Sequence, residues 1–147
     1  MGLEAINFSF CNDKKVPIKQ IIERNNKIKE VNSKQYVYAN ENAFWVDIEL
    51  QNEFCLSLRI TLCNPIDEVL NALDQLLLFL FGLNDGTLSD LNTKESFRVY
   101  NENTKSKIIT SYKEKRGVFE SIYGDFTAAV SSEEFYRIQK TKRDILE

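Results

Sequence analysis

Histidine is absent from the 147 residues of this chain. That absence removes Ser-His-Asp and Cys-His nucleophilic sites, imidazole acid–base catalysis and His-containing zinc sites together. Glycine-rich phosphate loops are also missing, since neither GxGxxG nor GxxxxGK followed by Ser or Thr occurs. Five Gly and two Pro are too few for a linker-rich chain, and there is no internal repeat. Cysteine is sparse: Cys11, Cys55 and Cys63 are odd in number and lack metal-ligand spacing, which predicts reduced thiols in a cytosolic setting. The longest apolar run, Leu76 to Phe81, is six residues, against roughly 20 needed to span a bilayer. Met1 to Phe10 has neither the basic start nor the apolar stretch of a secretory signal. These absences together predict a cytoplasmic chain with no membrane segment.

Large apolar side chains are plentiful. Ten Phe and six Tyr within a hydrophobic content of 43% supply the core of one globular domain over 1–147. A chain of this length buries roughly two thirds of its unfolded surface. Ile6, Phe8 and Phe10 alternate with polar residues and read as a first strand, followed by a helix over Val16 to Val31 with Pro17 in its first turn. Tyr36 to Tyr38 reads as a short strand.

The clearest local signal is the segment AFWVDIELQNEFCLSLRITL, residues 43–62. Phe44, Val46, Ile48 and Leu50 alternate with Trp45, Asp47 and Glu49, and the alternation resumes with Phe54, Leu56, Leu58, Ile60 and Leu62. This predicts a β-hairpin with a three-residue loop at 51–53, pairing Leu50 with Phe54 and Ile48 with Leu56. In that register Trp45 lies opposite Arg59, close enough for a cation–π contact, and Asp47 lies opposite Ser57.

Asn64-Pro65, with Asp67 and Glu68 just beyond, predicts a helix start with Asn64 as its cap. The helix runs to about residue 81, carries the stripe Ile66, Val69, Leu70, Leu73, Leu76, Leu77 and Leu80, and ends at Gly82. Leu78, Phe79 and Phe81 fall off the stripe and must be covered by the fold or by a partner. Asn84-Asp85-Gly86 is a turn signal. Strands are predicted around Phe97 and Val99, around Ile108 to Tyr112, and in short pieces at 118–123 and 126–130. Ser131 and Glu134 form a capping box that opens a final helix carrying Phe135, Ile138 and Ile145 on one face. The sum is an α+β fold: an antiparallel sheet of about five to six strands packed on a long apolar helix (about 65–81), with an N-terminal and a C-terminal helix.

Charge is unevenly distributed. Residues 1–34 carry a net +3 and residues 94–147 a net +2, whereas residues 35–93 hold nine acidic residues against Arg59 alone, a net −8. Such a field suits recognition of a basic protein. Trp45, Asp47 and Glu49 share the polar face of the hairpin, with Glu41 and Glu53 flanking it, and these five are the candidate partner-binding residues. Asp47 and Glu49 also satisfy the minimum for carboxylate chemistry or a divalent metal, but no third carboxylate stands at a defined spacing. The basic stretch Lys105, Lys107, Lys113, Lys115 and Arg116 around Tyr112 is modest for nucleic acid in a chain of net charge −3.

In general character, a small, histidine-free, Asn- and Lys-rich α+β chain with this acidic hairpin resembles the bacterial immunity proteins of contact-dependent growth-inhibition and other polymorphic toxin systems. The resemblance implies a cytoplasmic, non-enzymatic protein without a cofactor that binds and neutralises a cognate toxin domain, often a nuclease. The competing expectations are a self-associating structural or adaptor protein, dimerising through Leu78, Phe79 and Phe81, and a carboxylate-dependent enzyme.

Overall fold

The structure, a computed structural model, describes residues 3–83 and 85–146. It is α+β, with a seven-stranded, wholly antiparallel sheet and four helices among the described residues. In chain order these are β1 (Ala5–Asn12), α1 (Ile18–Ile22), β2 (Ile28–Glu30), β3 (Gln35–Asn40), β4 (Phe44–Leu50), β5 (Cys55–Thr61), α2 (Ile66–Leu83), β6 (Gly86–Asp90), β7 (Ser96–Phe97), α3 (Glu102–Tyr123) and α4 (Ser132–Leu146). The sheet order is β2-β3-β4-β5-β1-β6-β7, so the N-terminal strand sits inside the sheet between β5 and β6.

Period-two alternation decides the two faces. Ile6, Phe8 and Phe10 of β1 lie beside Leu56, Leu58 and Ile60 of β5 and Leu88 of β6, all buried. Val46 and Ile48 of β4 and Tyr36 and Tyr38 of β3 continue the same face. Helix α2 closes it with buried Val69, Ala72, Leu73, Leu76, Leu77 and Leu80, and α1 adds Ile18, Ile21 and Ile22. Phe81 meets Phe10 edge-on at 5.2 Å and stacks on Tyr100 at 5.9 Å. Phe79 is half-buried against the core. Of the three residues off the stripe, Leu78 alone stands exposed, at 49%. Gly86 is required where β6 passes β1, since a Cβ there would meet the Phe10 ring and, at 2.8 Å, the Cys11 carbonyl oxygen.

Several expectations are corrected. The predicted helix over 16–31 stops after one and a half turns at Ile22, and Ile28 joins the sheet opposite Tyr38. The Asn25 side chain accepts from the Lys27 N–H at 2.9 Å, and this turn competes with helix. The hairpin register is displaced by two residues: Leu50 pairs with Leu56, Ile48 with Leu58 and Asp47 with Arg59. The wider turn is held by Asn52, whose side chain accepts from the N–H groups of Phe54 and Cys55 at 2.9 and 3.0 Å. Trp45 therefore lies beside Ala39 of β3 rather than opposite Arg59, and the expected cation–π pair does not form.

Asn64 does not act as a simple cap. Its amide accepts from the Trp45 N–H at 2.8 Å and donates to both oxygens of Thr61 at 2.8 Å. Pro65 precedes the first helical residue, and Gly82 lies inside α2 rather than ending it. Asn84, in the expected turn, lies outside the described residues, and Gly86 opens β6.

The largest correction concerns 102–123, where strands were expected and one helix of 22 residues stands. Asn101 caps it, accepting from the Thr104 N–H at 2.9 Å, and Gly124 ends it at φ 80°. Thr104, Ile108, Ser111, Tyr112 and Phe119 are its buried residues, spaced for a helix face. Residues 126–130 are irregular and belong to no strand of the sheet. They pass the end of β5, where the Ala128 N–H donates to the Cys63 carbonyl at 2.7 Å and Thr61 Oγ1 donates to the Val130 carbonyl at 2.6 Å. Half of the expected capping box is present: the Glu134 N–H donates to Ser131 Oγ at 3.2 Å, while the Glu134 carboxylate pairs with Arg137. Phe135 is buried against Phe119, Tyr123 and Phe126. Ile138 is half-buried, and the side chain of Ile145 lies outside those described.

Reduced thiols were expected, yet Cys11 and Cys55 form a disulfide between β1 and β5, with Cα atoms 4.1 Å apart. Hydrogen bonds join Leu62 to Glu4 and Asn12 to Phe54, which places Cys11 and Cys55 in the non-hydrogen-bonded pair class where side chains approach most closely. Cys63 is a buried free thiol, pushed upward in pKa by that burial.

Candidate functional site

The sheet face opposite α2 is polar: Asn7, Ser9 and Cys11 of β1, Cys55, Ser57 and Arg59 of β5, and Trp45, Asp47 and Glu49 of β4. Helix α4 crosses one end of it. The angle between the start of α4 and the strands is a cleft of about 440 Å³, with Trp45, Asp47, Glu49, Arg59, Ser132 and Glu133 among its lining residues.

Arg59 anchors that corner. Its guanidinium pairs with Glu4, donates from Nε to Ser132 Oγ at 2.8 Å, and donates from NH1 to Asn7 Oδ1 at 3.1 Å. Tyr136 donates from the opposite side to Glu4 Oε1 at 2.8 Å. Burial by itself would raise the Glu4 carboxyl, but the hydrogen bonds from Tyr136, the backbone and Ser132, with the Arg59 charge, hold it below its ordinary value. The Tyr136 hydroxyl is pushed up to about 12 by desolvation and by its bond to Glu4. One buried carboxylate and one guanidinium thus fasten β1, β5 and α4 together.

Asp47 stands next to this corner, opposite Arg59 in the sheet. Trp45 Nε1 donates to Asp47 Oδ1 at 3.0 Å, which locks indole and carboxylate into one unit. Burial raises the Asp47 carboxyl above its ordinary value, with the Trp45 bond and the Arg59 charge opposing the rise. Glu49, one strand pitch further along the same face, is exposed and lies opposite Ser57.

Three of the five sequence-derived candidates, Trp45, Asp47 and Glu49, are therefore brought together on one cleft. Glu41 and Glu53 are exposed in the turns at opposite ends of β4 and do not line it. Arg59, expected as a cation–π partner of Trp45, serves instead as a structural anchor, and the cleft also takes Ser132 and Glu133, which the sequence did not single out, from more than 70 residues downstream. No local pattern marks those as neighbours of β4. Among the described residues, no group of three or more Cys, Asp or Glu side chains could hold a metal ion.

The basic stretch of α3 is largely spent within the fold. Tyr112 is fully buried, Lys105 pairs with Asp74 at 3.5 Å, and Lys107 pairs with Glu95 at 3.3 Å. Lys115 donates to the Ala5 carbonyl at 3.0 Å, and Arg116 bonds the Asn64 carbonyl and Glu120.

No protein-family model, curated protein or solved structure matches this chain. The described helices include none long and apolar enough to cross a membrane.

Proposed function

We propose that the protein is a cytoplasmic, non-enzymatic inhibitor that binds a basic protein through the β4 face of the cleft. In line with the resemblance to immunity proteins, the partner is a cognate bacterial toxin domain whose substrate groove is basic. The observation that carries the reading is the Trp45–Asp47 unit with Glu49 beside it, set in an open cleft and drawn from the acidic segment 35–93. Asp47 is already partly stripped of water, so an incoming Lys or Arg regains Coulomb energy without the full desolvation penalty of a hydrated carboxylate. A fixed indole offers a flat apolar anchor of the kind that dominates interface energies.

The test is co-expression with a candidate toxin domain encoded by the adjacent gene, followed by calorimetric titration of the purified pair. Growth is expected to be rescued by the intact protein and not by the Asp47→Lys, Glu49→Lys double variant. Truncation of Trp45 to Ala is expected to weaken binding by about 2 kcal/mol or more. Unchanged affinity and unchanged salt dependence after the double charge reversal would exclude this face as the binding surface.

A further inference from the structure

A second cleft, of about 560 Å³, opens elsewhere on the protein, between α2 and the edge of the sheet formed by β2, β3 and β4. Its chemistry is opposite to that of the first. Lys27 and Lys29 line it from the β2 side, Asn71 and Gln75 from α2, and Tyr38 and Phe44 from the sheet, with no carboxylate among its lining residues. Neither ammonium belongs to an ion pair among the described residues. Lys29 donates only to the Asn26 carbonyl, at 3.0 Å.

Tyr38 adds an uncharged donor beside the two ammoniums. It is 94% buried, given its 6% exposure, and its ring is fixed against Phe44 with centroids 5.1 Å apart. Among the described residues its hydroxyl has no hydrogen-bond partner. Unlike the hydroxyl of Tyr36, it is not sealed from solvent but reaches the cleft that Tyr38 lines. Burial of the side chain raises the Tyr38 pKa, so the hydroxyl stays protonated at neutral pH and can donate to any acceptor that displaces water from the cleft. The cleft volume falls in the range of small-molecule sites, which combine apolar walls with a few convergent polar groups.

We propose that this cleft binds a small organic anion, whose anionic oxygens accept from the Tyr38 hydroxyl and the Lys27 and Lys29 ammoniums while its body lies against Phe44 and the amides of Asn71 and Gln75. The carboxylate or phosphate of such a molecule supplies both the charge and the acceptor geometry the site lacks. This site is separate from the β4 face and does not depend on the inhibitor reading.

The test uses the whole protein and three probes that share a ring and differ in charge: phenyl phosphate, benzoate and benzyl alcohol. Titrations followed by backbone amide NMR are expected to shift residues 26–29, 38–40 and 71–75 with the anions. Benzyl alcohol is expected to bind roughly ten-fold more weakly or worse. Whichever anion saturates at lower concentration identifies the phosphate or the carboxylate as the better match. Tyr38→Phe keeps the ring and its packing, and is expected to weaken anion binding roughly ten- to a hundred-fold. The exposed pair Lys27→Gln, Lys29→Gln should weaken it and flatten its salt dependence. Equal binding of the neutral probe, undiminished binding by Tyr38→Phe, or no shift at these residues with either anion would overturn the proposal.

Discussion

Glu4 and Asp47 are both carboxylates beside Arg59, yet their environments drive them in opposite directions. Glu4 is fully buried and still held below its ordinary 4.5, because its hydrogen bonds and Arg59 outweigh desolvation. A depressed carboxyl stabilises the fold at pH values above 4.5, and that contribution is lost as pH falls through the lower folded value. Replacing Arg59 with Met leaves that charge buried without its partner. The expected loss is about 3 kcal/mol at neutral pH, the low end for a broken buried pair because the Arg59 side chain is 38% exposed. Urea denaturation of both proteins across the acid range checks this: the gap should narrow as Glu4 protonates. Asp47 has the reverse sign. Its folded value is raised above 3.8, so ionisation removes stability as pH rises from 3.8 through the folded value. Asp47→Asn keeps an acceptor for Trp45 Nε1. It is expected to hold or raise the melting temperature at neutral pH, with any gain gone below pH 3.8, while binding to a basic partner falls. Thermal melts at the two pH values, paired with a binding titration, separate the two effects.

At the level of elements, β4 is tied to the start of α2 by Asn64, a fully buried amide bonded to Trp45 and Thr61. Asn64→Ala leaves the Trp45 N–H without its acceptor, and is expected to destabilise the protein by about 2 kcal/mol. It should also loosen the indole, readable as a red shift of Trp45 fluorescence, since Trp45 is the sole tryptophan. A fluorescence spectrum identical to the parent would contradict this role. The helices differ in how openly their sequences declare them. Helix α2 combines a Pro-led start with an unbroken apolar stripe, so local pattern and tertiary role agree. In α3 the mean hydropathy is low, and its few apolar residues, Ile108 and Tyr112 among them, fit alternation as well as a helix turn when read in isolation. The Asn101 cap and the four- and seven-residue spacings from Thr104 to Phe119 carried the helical signal. Asn101→Ala should lower stability by about 1 kcal/mol, measurable by chemical denaturation.

Across the whole molecule, the Cys11–Cys55 bond joins residues 44 apart in sequence and closes β1 onto the hairpin. Chain-entropy reasoning gives such a loop about 4 kcal/mol, with typical measured values of about 2–4 kcal/mol. Denaturation midpoints with and without a reducing agent should differ accordingly, and alkylation followed by mass spectrometry should find one free thiol, Cys63, before reduction and three after. A cytosolic setting would keep such a pair reduced for much of the time, so the same assay on protein taken rapidly from cells reports the state the chain occupies there.

Some of this architecture is written in short stretches of chain. Strand faces follow from strict alternation, because successive side chains must point to opposite sides. That is why alternation alone puts Trp45, Asp47 and Glu49 on one polar face, and why α2 is legible from its cap region and stripe. Other features depend on long-range contacts that no local pattern encodes. A register shift of two residues preserves both faces, so the hydrophobic pattern could not distinguish it, and the bonds of Asn52 selected the wider turn. The disulfide needed β1 to lie beside β5, and the cleft needed Ser132 and Glu133 to be carried across the sheet by Arg59 and Glu4. The acidic face was a property of the sequence; the walls that make it a site exist only once distant segments pack.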